Sequence, residues 1–171
     1  MSSSKIILFF TGDEIYSQWY PSRFVIDDII YTSAEQYMMY QKAVFFHDQN
    51  SAKKILAEHN PSKIKKLGRL VKNFDDKRWR HVCKDIVRKG TLEKFQQNKR
   101  LRDLLMKTGD AIIAEASPYD QRWGIGLDKH DPAALKPKMW KGTNWLGEAI
   151  MSVRTELRDA DLAKEYEKPR D

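Results

Sequence analysis

The segment from Asp75 to Asn98 constrains the fold more than any other, because its apolar residues recur at the spacing of a single helix face. Trp79, Val82, Cys83, Ile86 and Val87 stand at i, i+3, i+4, i+7 and i+8. A helix with such a stripe must be covered by other elements, so the chain is built around a packed core. Gly90 interrupts the pattern and predicts a bend or a tight contact, after which Leu92, Lys94 and Phe95 carry it on. The length of 171 residues fits one domain with a core of its own.

A second stretch, Tyr31 to Phe46, carries chemistry. Thr32-x-x-Glu35 and Ser33-x-x-Gln36 are overlapping capping boxes just before an apolar run, so a helix begins here. At 100° per residue, Glu35, Met39, Lys42 and Phe46 fall within about 60° of one another. A carboxylate and an amine thus share a face with two bulky apolar groups. Two interpretations stay open at this point. Glu35 closes a capping box while Lys42 carries its amine past the core to water, or both project into one pocket.

Composition narrows the setting. Hydrophobic residues make up 41% and charged residues 32%, with five Trp, seven Tyr and seven Phe, which excludes a disordered chain. Cys83 is the sole cysteine, so an internal disulfide framework and a cysteine-based metal site are excluded. The start, Met-Ser-Ser-Ser-Lys, has no apolar signal core, and no apolar run is long enough to span a bilayer. A soluble, intracellular protein is expected, cytoplasmic or, in a eukaryote, nuclear, with no membrane partner. The net charge of +7 is uneven: residues 51–110 hold 18 Lys and Arg against 7 Asp and Glu, a net of +11, leaving −4 elsewhere. A basic block of that size suits phosphate-bearing ligands, nucleotide or nucleic acid.

The remaining segments read in order. Lys5 to Phe10 reads as a buried strand ending at Thr11-Gly12-Asp13. Tyr16-Ser17-Gln18-Trp19-Tyr20-Pro21 suits a loop wall that stacks on a ring and holds its edge, or equally a core lining under a loop. Arg23 to Tyr31 predicts a hairpin turning at Asp27-Asp28. A helix begins near Asp48 or Ser51 and stops at Asn60-Pro61, and a short one follows with Ile64 and Leu67 inward, Gly68 open to close approach and Arg69 placed for an anion. Asn98 is expected to cap a helix over Leu101 to Lys107 that ends on Thr108-Gly109. Ala111 to Ala116 reads as a strand opening onto Ser117-Pro-Tyr-Asp120-Gln-Arg-Trp123-Gly-Ile-Gly126. Asp128 to Lys141 reads as an irregular loop. The last helix starts after Gly142-Thr-Asn144 and buries Leu146, Ala149, Ile150, Val153 and Leu157, with a frayed tail beyond Arg158.

Taken together, Thr32-Ser-Ala-Glu35-Gln-Tyr with Gln41-Lys42, Leu67-Gly-Arg69, Trp79, Lys94-Phe95, Leu105 with Thr108, Glu115-Ala-Ser, Asp120-x-x-Trp123-Gly-x-Gly126, Gly142-x-Asn144-x-Leu-Gly147 and Val153-Arg154 resemble the NADAR, or YbiA-like, family. The resemblance runs from about Phe9 to Leu157. It implies an α+β fold, a mostly helical single domain packed around a small β-sheet, over residues 5–158, with 1–4 and 159–171 as frayed termini. It also implies an N-glycosidase acting on a ribosyl bond. The substrates implied are ADP-ribose on guanine in DNA or RNA, or a phosphoribosylamino-pyrimidine of riboflavin synthesis; a module that binds ADP-ribose without cleaving it is the non-enzymatic alternative. Where members usually have Phe-Ser-Asn-Phe, this chain has Tyr16-Ser17-Gln18-Trp19, whose longer amide bears on substrate identity.

Breaking a ribosyl C1′–N bond builds positive charge on C1′ and the ring oxygen, which a carboxylate stabilises. Glu35 is the first candidate and Asp120 the second acid. Lys42 either attacks a ring-opened C1′ aldehyde as a neutral amine or, charged, orients Glu35. Trp19, Trp79 and Trp123 are candidates to stack on a base, beside Ser17 and Gln18. Arg69, Lys94 and the amides around Gly124 and Gly126 are candidates for phosphate, and Asn144 for a ribose hydroxyl or a helix cap. His47, His59, His81 and His130 have no ligand spacing, so neither a metal nor a cofactor is expected.

Overall fold

The computed structural model describes residues 5–167. In chain order the elements are β1 (Ile6–Phe9), β2 (Phe24–Ile26), β3 (Ile29–Tyr31), α1 (Ala34–Phe45), α2 (Gln49–Ala57), α3 (Pro61–Arg69), α4 (Asp76–Gln97), α5 (Lys99–Met106), β4 (Ile112–Glu115) and α6 (Trp145–Tyr166), with 3-10 turns at Pro132–Leu135 and Pro137–Met139. The fold is α+β and mainly helical, with two small sheets, β1 with β4 and β2 with β3. The chain divides into two units, Phe9–Asn98 and the residues on either side of it.

In the unit Phe9–Asn98, the predicted hairpin pairs Phe24 with Tyr31, Val25 with Ile30 and Ile26 with Ile29. Asp27 and Asp28 both take left-handed backbone, φ 50° and 62°, the geometry of a two-residue turn that matches strand twist. Alternation then buries Phe24, Ile26 and Tyr31, which pack with Tyr37. The Gln97 side chain bonds both the N–H and the carbonyl of Val25, each at 2.8 Å, so α4 satisfies the edge of β2.

Helix α1 starts as expected. Ser33 accepts the N–H of Gln36 at 3.1 Å, and the Gln36 side chain turns back to accept the Thr32 N–H at 2.8 Å. The Gln36 amide also donates to the carbonyls of Ile55, Leu56 and Glu58, so it closes the end of α2. Residues Ala34 through Met39 are all buried, and α1 packs against α2, α3 and α4. Two glycines permit this. A Cβ on Gly68 would lie 2.0 Å from Met39 Sδ, and one on Gly90 2.5 Å from Tyr37 Cδ1. Gly90 thus serves close approach, and α4 continues through it as one helix.

Several expectations are corrected in the remaining elements. β1 is only half-buried before Phe9. Asn98 does not open α5: its amide donates to the carbonyls of Lys94 and Arg23, closing α4, and α5 begins at once with Lys99. Residues 128–141 are ordered by two 3-10 turns, each with proline in its first turn, and Trp140 Nε1 donates to Ala134 O at 2.8 Å. Around them Ala114, Ala116, Ile125, Leu127 and Ala134 form a core with Leu8 and Trp140. α6 buries the predicted stripe but does not fray at Arg158. It runs to Tyr166, with Asp161 paired to Arg102 of α5 and Arg158 to Asp110. The expected frayed ends at 1–4 and 168–171 lie outside the described residues.

Candidate active site

In the unit Phe9–Asn98, α1 delivers Glu35 in its first turn and Lys42 two turns on. Glu35 is 6% exposed, and its backbone N–H donates to Gln18 O at 2.9 Å. Lys42 Nζ donates to the Gly68 carbonyl at 2.8 Å and sits 4.1 Å from the centroid of the Phe74 ring. Gly68 is in the last turn of α3, where carbonyls have no partner within the helix, so the amine supplies the donor that this carbonyl lacks there. Burial lowers the Lys42 pKa from its ordinary 10.5, the Glu35 and Asp76 carboxylates act to raise it, and Arg69 lowers it again. Acid and amine therefore feel one another, and Arg69, exposed beside Gly68, adds a third charge.

The loop 11–20 forms the other side of this group. It is a succession of turns in which Ser17 N–H donates to Glu14 O and Tyr20 N–H to Ser17 O. Ser17 is buried and its hydroxyl accepts the Trp19 N–H at 3.1 Å, while the Gln18 amide reaches Met38 Sδ at 3.9 Å. Trp19 is half-buried, with the Lys65 ammonium 5.9 Å from its ring centroid. The structure thus brings Ser17, Gln18, Trp19, Glu35, Lys42 and Arg69 into one unit.

Trp79 and Lys94 belong to the same unit but not to its surface. Trp79 is 4% exposed and packs against Phe45 and Phe46, which leaves no ring face for a base. Lys94 is 2% exposed with Nζ 2.8 Å from Ser17 O, so it offers no surface to a phosphate. The residue that sequence reasoning missed is Phe74, 44% exposed beside the Lys42 amine. Its only sequence signal is an aromatic after Asn73, a left-handed position at φ 57°, in a basic stretch.

Asp120, Trp123, Gly124, Gly126 and Asn144 lie in the second unit. Asp120 Oδ1 accepts the N–H groups of Arg122 and Trp123 at 2.9 and 2.8 Å, which shapes the turn, and the residue is partly exposed. Trp123 is half-buried with its ring edge-on to Trp145 at 5.6 Å. Gly124 and Gly126 are buried, and a Cβ on Gly124 would meet the carbonyls of Asp120 and Glu115 at 2.9 Å, so internal packing explains that glycine. Asn144 makes no side-chain cap. Buried in left-handed backbone, it accepts the Glu115 N–H at 3.1 Å and donates to Ile113 O at 3.0 Å, tying β4 to the start of α6. Among the described residues no group of three or more His, Cys, Asp and Glu is placed to hold a metal, and no helix is long and apolar enough to cross a membrane.

The order and spacing of these residues match a known domain. Residues 9–158 fit the NADAR domain. The chain belongs to the NADAR family. Among its relatives, the N-glycosidase R617 of Acanthamoeba polyphaga mimivirus is 42% identical over 150 residues, covering 85% of this chain and 88% of that protein. The riboflavin biosynthesis protein VVA0006 of Vibrio vulnificus (strain YJ016) is 30% identical over 90% of this chain, which spans only 39% of that protein. The NMR structure of the E. coli protein YbiA superposes with a TM-score of 0.78 at 25% identity, over 99% of this chain and 92% of that one. N-glycosidases are hydrolases, and this NADAR domain is an enzyme of that family.

Proposed function

We propose that this NADAR domain hydrolyses the C1′–N bond of ADP-ribosylated guanine in nucleic acid, with Glu35 and Lys42 as its reacting groups. The observation that carries the reading is the placement of the Lys42 amine on the Gly68 carbonyl, two turns from a buried Glu35 whose charge acts on it. Burial favours the neutral amine, the form that attacks carbon. In the step this supports, Glu35 stabilises positive charge as the C1′–N bond breaks and the base leaves with a proton. The Lys42 nitrogen bonds to C1′ as O4′ takes a proton and the ring opens, giving a Schiff base. Water then adds to that carbon, freeing the amine and ADP-ribose. Within the same unit, Trp19 is the stacking candidate and Arg69 a phosphate contact.

The basic block favours a polyanionic substrate, since Lys63, Lys65, Lys66 and Arg69 are all exposed on α3. The similarity to a riboflavin biosynthesis protein favours a second reading, in which a phosphoribosylamino-pyrimidine is cut by the same groups. One experiment separates them. The protein is incubated with an ADP-ribosylated-guanine oligonucleotide and with the ribosylaminouracil phosphate, products are identified, and sodium borohydride is added to trap the imine. Free ADP-ribose from the oligonucleotide, falling steeply with salt, and a borohydride-fixed adduct on Lys42 are expected, both lost in Glu35→Gln or Lys42→Ala. Cleavage of the pyrimidine compound alone establishes the second reading. Turnover that persists in Lys42→Ala overturns the covalent step.

A further inference from the structure

We propose that Lys94 is a positioning residue: its amine, reaching from α4, pins the Ser17 carbonyl and so holds residues 16–20 against the first turn of α1, where Glu35 stands. The inference rests on the reading above that this loop and Glu35 border the substrate.

Three observations carry it. Lys94 Nζ lies 2.8 Å from Ser17 O, in a residue 2% exposed, with the ring centroids of Tyr20 and Phe95 at 5.6 and 5.2 Å. The loop's internal bonds are successive turns, and Lys94 adds to them a bond from a long helix. The next residue, Gln18, supplies the carbonyl that accepts the Glu35 N–H at 2.9 Å. Movement of the Ser17 carbonyl therefore passes through one peptide unit to the start of α1, and with it to the side chains of Gln18 and Trp19.

The choice of lysine points to position and not to packing. Burial alone holds the Lys94 amine down at about 7, which means that its charged form is disfavoured inside the fold. Methionine of similar reach would fill the same apolar space without that cost. Nor does the Ser17 carbonyl need Lys94 as a partner, because it also accepts the Tyr20 N–H at 3.1 Å. A side chain that is costly to bury and unnecessary for satisfying its acceptor fits a site held in place at the expense of stability.

The test is Lys94→Met in the full chain. Its melting temperature at pH 7 should be no lower than that of the unaltered protein. Amides of residues 16–20 should exchange hydrogen faster, and KM for the ADP-ribosylated oligonucleotide should rise by at least about tenfold with kcat within about threefold. A merely structural role predicts the opposite pattern, a lower melting temperature and reduced apparent kcat at unchanged KM, and that result overturns the proposal. Unchanged exchange at 16–20 overturns it too. Lys94→Gln, which keeps a donor on a shorter arm, serves the same comparison if the Met variant does not fold. If the unaltered protein cleaves neither substrate, the activity reading fails by itself, and exchange at 16–20 still decides whether Lys94 is the pin.

Discussion

The cost of burying Lys94 is measurable as a pH dependence of stability. In the folded chain its amine titrates at about 7, against an ordinary 10.5. Below pH 7 both folded and unfolded states hold the proton, and folding bears the full cost of enclosing a charge. Between pH 7 and 10.5 the unfolded state binds one more proton than the folded state, so stability rises with pH by about 1.4 kcal/mol per unit. Above 10.5 both states are neutral and the cost is gone. Over this gap of about 3.5 units the total is on the order of 5 kcal/mol, an upper figure because local opening lets water reach the amine. Every other titrating group cancels if the unaltered protein is compared with Lys94→Met, which has nothing to titrate. Urea unfolding of both at pH 6, 7, 8 and 9 should show the Met variant ahead by a constant amount below pH 7, its lead shrinking steadily above. With an m-value of about 2 kcal/mol/M, the midpoints should converge by roughly 0.7 M per pH unit. A difference that stays constant from pH 6 to 9 refutes the reasoning, since it would mean that Lys94 keeps its proton in the fold.

Further outcomes follow from the same geometry. Because Glu35 raises the Lys42 pKa against burial, Glu35→Gln should lower it further, seen as a downward shift in the pH midpoint of reductive methylation at Lys42. Gly68→Ala would put a Cβ 2.0 Å from Met39 Sδ and 2.8 Å from its Cγ, and should cost about 1–3 kcal/mol in urea unfolding. Most of that loss should return when Met39→Ala is added, and its failure to return would mean that the glycine serves something other than α1–α3 contact. Thr91 Oγ1 is buried without a hydrogen-bond partner, so Thr91→Val should leave stability unchanged or raise it by up to about 1 kcal/mol.

Helix α4 was legible from periodicity alone and α1 from its caps, because both signals are local. The Asp27-Asp28 turn was legible for the same reason: its left-handed pair follows from hairpin length. What the sequence did not reveal is which side of a buried helix meets a ligand. Trp79 and Lys94 lie on one stripe of α4 and both look like site residues by type, yet one packs on Phe45 and Phe46 and the other spends its amine on a backbone carbonyl. Phe74 comes to Lys42 across 32 positions of chain, a contact that no spacing rule encodes. Asn144 carried the chemistry of a ligand or a cap, but its left-handed backbone turns both ends of its amide onto β4. The loop 128–141 looks irregular in sequence because two short 3-10 turns beginning on prolines have too few residues to show a period.

The enclosure of α1 limits how such an enzyme can diverge. From Ala34 to Met39 every residue is buried, with the hairpin, α2, α3 and α4 packed around the helix. A change there cannot be absorbed by water and has to be matched by a neighbour, so the acid at position 35 is carried on a segment with little room to drift. The loop 11–20 and the turn leading to Phe74 have exposed positions and can vary one residue at a time. Sequence change around α1 is therefore expected to collect at such surface positions, Phe74 among them, while the frame beneath stays as it stands.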